Sequence, residues 1–171
     1  MQHFRVKVFG RAAEGFELHQ AIPVFHRWIQ TNALPELLID VADYSHVPGG
    51  PGVLLAGHDS HYGLDLRKNR LGLLYIRRTA QDGSTADRLR SALAAARAAC
   101  EKLVQEPEFA GKLSFDFDEI EISVNDRLLA PNIPESYQEL ADELGAVLDG
   151  YTFRHDGEPR DLLTVLAVRA H

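Results

Sequence analysis

The sequence predicts an α+β fold: a single domain with a largely antiparallel β-sheet packed by about three helices. Three observations lead there. Short stretches of alternating apolar and polar residues recur along the chain, several follow one another with only tight links, and three segments switch to helical spacing. Strands joined by turns favour antiparallel pairing, because parallel neighbours need a crossover of roughly a dozen residues or more. At 171 residues, with 45% hydrophobic and 25% charged, the chain has the balance of a globular domain and the length for one sizeable core.

Phe4, Val6 and Val8 alternate with Arg5 and Lys7, which predicts a half-buried strand over residues 4–9. Gly10 to Gly15 turns the chain, and Phe16 and Leu18 around Glu17 suggest a short antiparallel return. Pro23 suits a first helical turn, while Phe25, Trp28, Ile29 and Asn32 lie at i, i+3, i+4 and i+7, giving a helix over 22–32 that stops before Pro35. Strands are expected at 37–43 and 53–57. Residues 61–66 and 71–78 form a hairpin around Lys68-Asn69, with Tyr62, Leu64 and Leu66 answered by Leu71, Leu73 and Tyr75.

After Asp82-Gly83, Ser84 with Asp87 three residues on opens the longest helix, which Pro107 ends. Leu89, Leu93, Ala96, Cys100 and Leu103 trace its apolar stripe. In residues 113–124 the apolar phase switches from Phe115 and Phe117 to Ile120, Ile122 and Val124, which a bulge at Asp118-Glu119 reconciles. Asn132 with Glu135 reads as a capping box for a third helix that runs to Gly150. Residues 151–155 and 162–169 close the chain as a hairpin across Asp156-Gly157.

Ile39, Val41, Asp43, Pro48 and Pro51 match Ile122, Val124, Asp126, Pro131 and Pro134 in spacing. The match suggests two duplicated halves, residues 1–82 and 83–171, within a single domain spanning 1–171.

Composition narrows the function. A net charge of −7 argues against a nucleic-acid partner, which needs a basic surface. No apolar run approaches the ~20 residues that span a bilayer, and Arg5, Lys7 and Arg11 break any apolar signal segment. A soluble, cytoplasmic protein is expected. The one cysteine, Cys100, falls on a helix's apolar face, so no internal disulfide and no cysteine-based zinc site is expected, and the thiol reads as core.

Chemistry-bearing residues concentrate between positions 43 and 65, where Asp43, His46, Gly50, His58, His61 and Asp65 form a candidate ligand-binding rim. His46, His58 and His61 supply the imidazoles that a divalent transition metal would take, though not at the helical spacing of H-E-x-x-H. The Gly49-Gly50-Pro51-Gly52 run reads as a strand-connecting loop that needs glycine dihedrals, lacking the Lys-Ser/Thr of a phosphate loop. Asp116, Asp118, Glu119 and Glu121 read as a solvated strand face. Arg67, Lys68, Arg70, Arg77 and Arg78 form the one basic cluster, either blunting a hairpin edge or meeting an anionic ligand or acidic partner. Two functions follow: a non-enzymatic module that self-associates as a homo-oligomer or binds a small molecule or protein partner, and a metal-assisted hydrolase built on the histidine rim. The absence of any nucleophile motif favours the first.

Overall fold

A computed structural model, which describes residues 1–170, resolves these patterns into eight strands and three helices. They are β1 (Phe4–Ala12), α1 (Ala21–Thr31), β2 (Leu38–Tyr44), β3 (Gly52–Gly57), β4 (Ser60–Asp65) and β5 (Gly72–Arg77). There follow α2 (Thr85–Leu103), β6 (Leu113–Val124), α3 (Pro134–Gly145), β7 (Tyr151–Asp156) and β8 (Leu163–Arg169). Every strand pair is antiparallel, in one sheet of order β2-β3-β4-β5-β1-β6-β8-β7. The chain is a single α+β domain. Among the described residues, no helix is long and apolar enough to cross a membrane.

The three helices cover one face of the sheet. Phe4, Val6 and Val8 of β1 join Leu64 of β4, Leu73 and Tyr75 of β5, Ile120 and Ile122 of β6, and Val165 of β8 in a core shared with Trp28, Leu89, Ala96, Leu103, Leu140 and Leu144 of the helices. The period-2 alternation of strands puts the intervening residues on the opposite, helix-free face. Cys100 is buried in α2, and burial pushes its thiol well above the ordinary range, as an inert core position requires.

Local signals account for most boundaries. Ser84 Oγ accepts the Asp87 N–H at 3.1 Å while Asp87 Oδ2 accepts the Ser84 N–H at 3.1 Å, so α2 opens on the expected capping box. Asn32 closes α1 in the left-handed conformation at φ 49°. β6 remains one strand, and the register slips between Val8 and Gly10 of β1 opposite residues 115–120. Asp116 Oδ1 accepts the Asp118 N–H inside that bulge, which lets Phe117 and Ile120 both pack toward the helices.

Two expectations are corrected. Residues 16–18 form no return strand: Phe16 stacks on Phe109 at 5.7 Å and Leu18–Gln20 is a short 3-10 turn leading into α1. Asn132 caps no helix either. Its buried amide donates to the carbonyl of Glu158 at 2.9 Å, and the residue before Pro134, Ile133, stands at the N-cap with no side-chain cap.

About the central β1–β6 contact the order reads β2-β3-β4-β5-β1 on one side and β6-β8-β7 on the other, so the two sides are unequal, with β2 and β3 unmatched. The matched segments of the sequence repeat occupy unlike places: Ile39 to Asp43 is on the edge strand β2, whereas Ile122 and Val124 end the central β6.

Gly52 has φ +69°, and a Cβ there would lie 2.1 Å from the Leu64 carbonyl oxygen; Gly49 has φ +68° with nothing within 4 Å. Gly52→Ala should therefore lose about 3 kcal/mol of stability and Gly49→Ala only about 1 kcal/mol. Urea unfolding midpoints of the two variants measure the difference, and equal losses would contradict the packing described for the β3–β4 pair.

Candidate functional site

The helix-free face is built outward from β1. Its odd-numbered residues Arg5, Lys7 and Phe9 point there. Lys7 is 4% exposed and Asp65, at the end of β4, is fully buried; the ammonium meets Asp65 Oδ1 at 2.5 Å. The same ammonium donates to the Arg70 carbonyl at 2.8 Å and the Arg67 carbonyl at 3.4 Å. A strand lysine thus holds the β4–β5 connection from beneath with three acceptors, the full donor capacity of an ammonium. Gly72 makes room for it, since a Cβ at that position would stand 2.7 Å from Lys7 Cε.

Held this way, residues 66–71 lean over the sheet as a strap. Lys68 and Asn69 take left-handed conformations at φ 57° and 56°. The Arg70 guanidinium lies 3.5 Å over the Phe9 ring and forms paired hydrogen bonds with Glu119 at 2.9 and 3.1 Å. Lys68 reaches Asp156 Oδ2 on β7 at 3.3 Å. In the sheet order β5 and β7 are separated by β1, β6 and β8, roughly 19 Å at ordinary strand spacing. Only a loop inclined across the face can make that contact.

Under and beside the strap lie two adjoining hollows of about 470 and 220 Å³, which share Arg67, Lys68, Glu121 and Asp156. Together they form one cleft. Its lining collects seven of the chain's 18 Lys and Arg residues (Arg5, Lys7, Arg67, Lys68, Arg70, Arg127 and Arg154) against the three carboxylates Glu121, Asp156 and Asp161. Ser123, Asn125 and Thr164 add neutral polar groups. Lys7, Lys68 and Arg70 are committed to the partners above. Among the described residues, the side chains of Arg5, Arg67, Arg127 and Arg154 have no hydrogen-bond or ion-pair partner, and Arg67 Nε is buried in that state. Burial, and then the neighbouring Arg67 charge, hold the Arg5 guanidinium below its ordinary value. Cationic side chains therefore outnumber carboxylates in the lining, and four of the seven make no hydrogen bond or ion pair within the protein.

The histidine rim divides. His46 sits in the loop before β3 and His58 in the turn after it, on the order of 20 Å apart along the strand. Asp43, on β2, is occupied locally: Ser45 Oγ and the Ser45 N–H donate to it and hold its carboxyl below the ordinary range. Gly50 donates its N–H to the Val47 carbonyl at 3.0 Å, closing a tight turn. His58 Nδ1 lies 3.3 Å from Asp59 Oδ1, and that carboxyl, held low first by the Thr79 hydroxyl, belongs to a turn that Glu36 ties down by accepting the Asp59 and Ser60 N–H groups. His61 points to the helix-free face from β4, with Nδ1 buried and unpartnered. Among the described residues, no group of three or more His, Cys, Asp or Glu side chains is placed to hold a metal ion.

None of the rim residues lines the cleft; Asp65 lies buried beside it as the counter-ion of the cleft residue Lys7. The basic cluster contributes Arg67, Lys68 and Arg70, whereas Arg77 turns to the Thr79 carbonyl and Asp59. Arg5, Arg127 and Arg154 come from three other places in the sequence; the polar phase of β1 was the signal for Arg5. The acidic stretch of β6 is largely paired, Asp116 with Arg11, Asp118 with Arg169 and Glu119 with Arg70, instead of being simply solvated. No protein-family model matches the chain, and no curated protein matches it as a relative.

Two outcomes test this geometry. Lys7→Met leaves Asp65 buried and unpaired, which should cost about 3–5 kcal/mol, while Lys7→Met with Asp65→Leu should recover part of that loss, the rest reflecting the Arg67 and Arg70 carbonyls left without their donor; chemical unfolding of the three proteins measures it, and a double variant no better than the single would refute the coupling. Burial, and then Arg78, hold the His61 imidazole below its ordinary 6.5. As pH falls through about 6.5 the unfolded chain takes up that proton before the folded one does, so stability declines on acidification, and the loss stops once folded His61 is itself protonated. His61→Asn should flatten the decline between about pH 7 and pH 5, and an unchanged slope would contradict the assignment.

Proposed function

We propose that the protein is a non-enzymatic binding module that holds an anionic group of a ligand or partner protein in the cleft of the helix-free face. The observation that carries this reading is the set of four unpartnered arginines, Arg5, Arg67, Arg127 and Arg154, gathered in one cleft of a chain whose net charge is −7. Cations outnumber carboxylates in this lining, and a bound anion offsets the repulsion that the surplus leaves. The cleft's Glu121, Asp156 and Asp161 interrupt the basic lining, which suits a discrete carboxylate or phosphate better than a continuous nucleic-acid backbone.

Pyrophosphate is a suitable probe, followed through the arginine side-chain N–H resonances by NMR. The resonances of Arg5, Arg67, Arg127 and Arg154 should shift together on titration, and Arg5→Gln with Arg67→Gln should weaken the response at least ~10-fold. Raising salt from about 50 to 500 mM should weaken it further. Shifts scattered over the surface, or a response indifferent to the double variant, would defeat the proposal.

A further inference from the structure

Next to the cleft, the chain displays two large apolar side chains that the anion alone does not explain. Leu128 is 93% exposed and Leu129 82% exposed, directly after the cleft residue Arg127. They are not the tip of a slack loop. Asp126 Oδ1 accepts the N–H groups of both leucines at 3.1 Å, and its carbonyl accepts the Ala130 N–H at 2.9 Å. Ala130 is buried, and buried Asn132 anchors the far side to the Glu158 carbonyl and to His155 Nε2 at 2.5 Å. His155 in turn stacks on Tyr137 of α3 at 4.9 Å. The loop is fixed at both ends, and its built turn faces the leucines outward. Exposed leucines scattered singly need no account, but this pair is adjacent, held in a fixed turn and set beside a charged cleft.

Resting on the anion-binding reading above, we infer that the occupant is a segment of another protein in which carboxylates stand beside a large apolar side chain, docked across Arg127 onto Leu128 and Leu129. The carboxylates meet the unpartnered arginines, and the apolar residue covers the leucine pair. A small anion would leave both leucines in water. A second copy docked through the same face sets one Arg127 rim against another, which opposes association. Charge complementarity therefore selects an acidic, apolar-bearing segment, with the pre-formed turn limiting the ordering cost of docking.

The test is selection from a random dodecapeptide library displayed on phage, using the immobilised intact chain. The enriched peptides should carry Asp or Glu adjacent to Leu, Ile or Phe, and they should bind Leu128→Ser/Leu129→Ser at least ~10-fold more weakly than the parent. Both leucines are exposed, so this variant should keep the parent's thermal stability and its pyrophosphate response. Enrichment of neutral or basic peptides, no enrichment at all, or equal binding to the variant overturns the inference. An oligomer in sedimentation equilibrium that the double variant dissolves also overturns it, by identifying a second copy as the occupant. Where the pyrophosphate response persists through these failures, the docking inference falls alone; where the parent shows no pyrophosphate response, the cleft reading falls and takes this inference with it.

Discussion

The buried contact between Lys7 and Asp65 is the constraint on which the helix-free face depends. Two opposite charges lie almost fully out of water at 2.5 Å, an arrangement whose desolvation cost offsets much of its Coulomb gain. Its structural return is position. By also taking the carbonyls of Arg67 and Arg70, the ammonium draws residues 66–71 over β1 and fixes the roof of the cleft. Arg70 on Phe9 and Glu119, and Lys68 on Asp156, then extend that roof across the sheet. An apolar pair in place of Lys7 and Asp65 could fill the same space, but it would leave those two carbonyls without their donor.

This strap divides the cations of the face into two populations. Lys7, Lys68 and Arg70, which hold the roof, are satisfied by carboxylates or carbonyls; the side chains of Arg67 in the strap itself and of Arg5, Arg127 and Arg154 around it are not. Seven cationic residues converge from β1, the β4–β5 connection, the loop after β6, and β7, although the chain as a whole is acidic. The helices take no part in lining the cleft. Their role is to bury the opposite face, leaving this one to polar side chains. The turn built by Asp126 then places Leu128 and Leu129 at the margin, so charge and apolar surface lie side by side.

Much of the fold was legible in the sequence because its signals are local. The Ser84–Asp87 cap, the stripe from Leu89 to Leu103, and the phase switch between Phe117 and Ile120 each depend on neighbours within one element. What escaped depended on partners distant in the chain. Phe16 is claimed by Phe109, and Asn132 by the Glu158 carbonyl, so neither the return strand nor the capping box forms. The histidine rim was drawn from closeness in sequence, yet β3 carries His46 and His58 to opposite ends of one strand. Asp65 was recognised, but not its partner, since nothing local says that Lys7 is the strand lysine to be buried. The cleft became visible when the strand order brought the loops after β4, β6 and β7 to one face.

The most direct test of the central claim is a crystal of the intact protein soaked in tungstate, with the bound anion located by its anomalous scattering. A tungstate peak within hydrogen-bond distance of the Arg5, Arg67 or Arg127 guanidinium groups, beneath the strap, is the predicted result. An empty cleft with tungstate bound elsewhere on the surface would contradict the account.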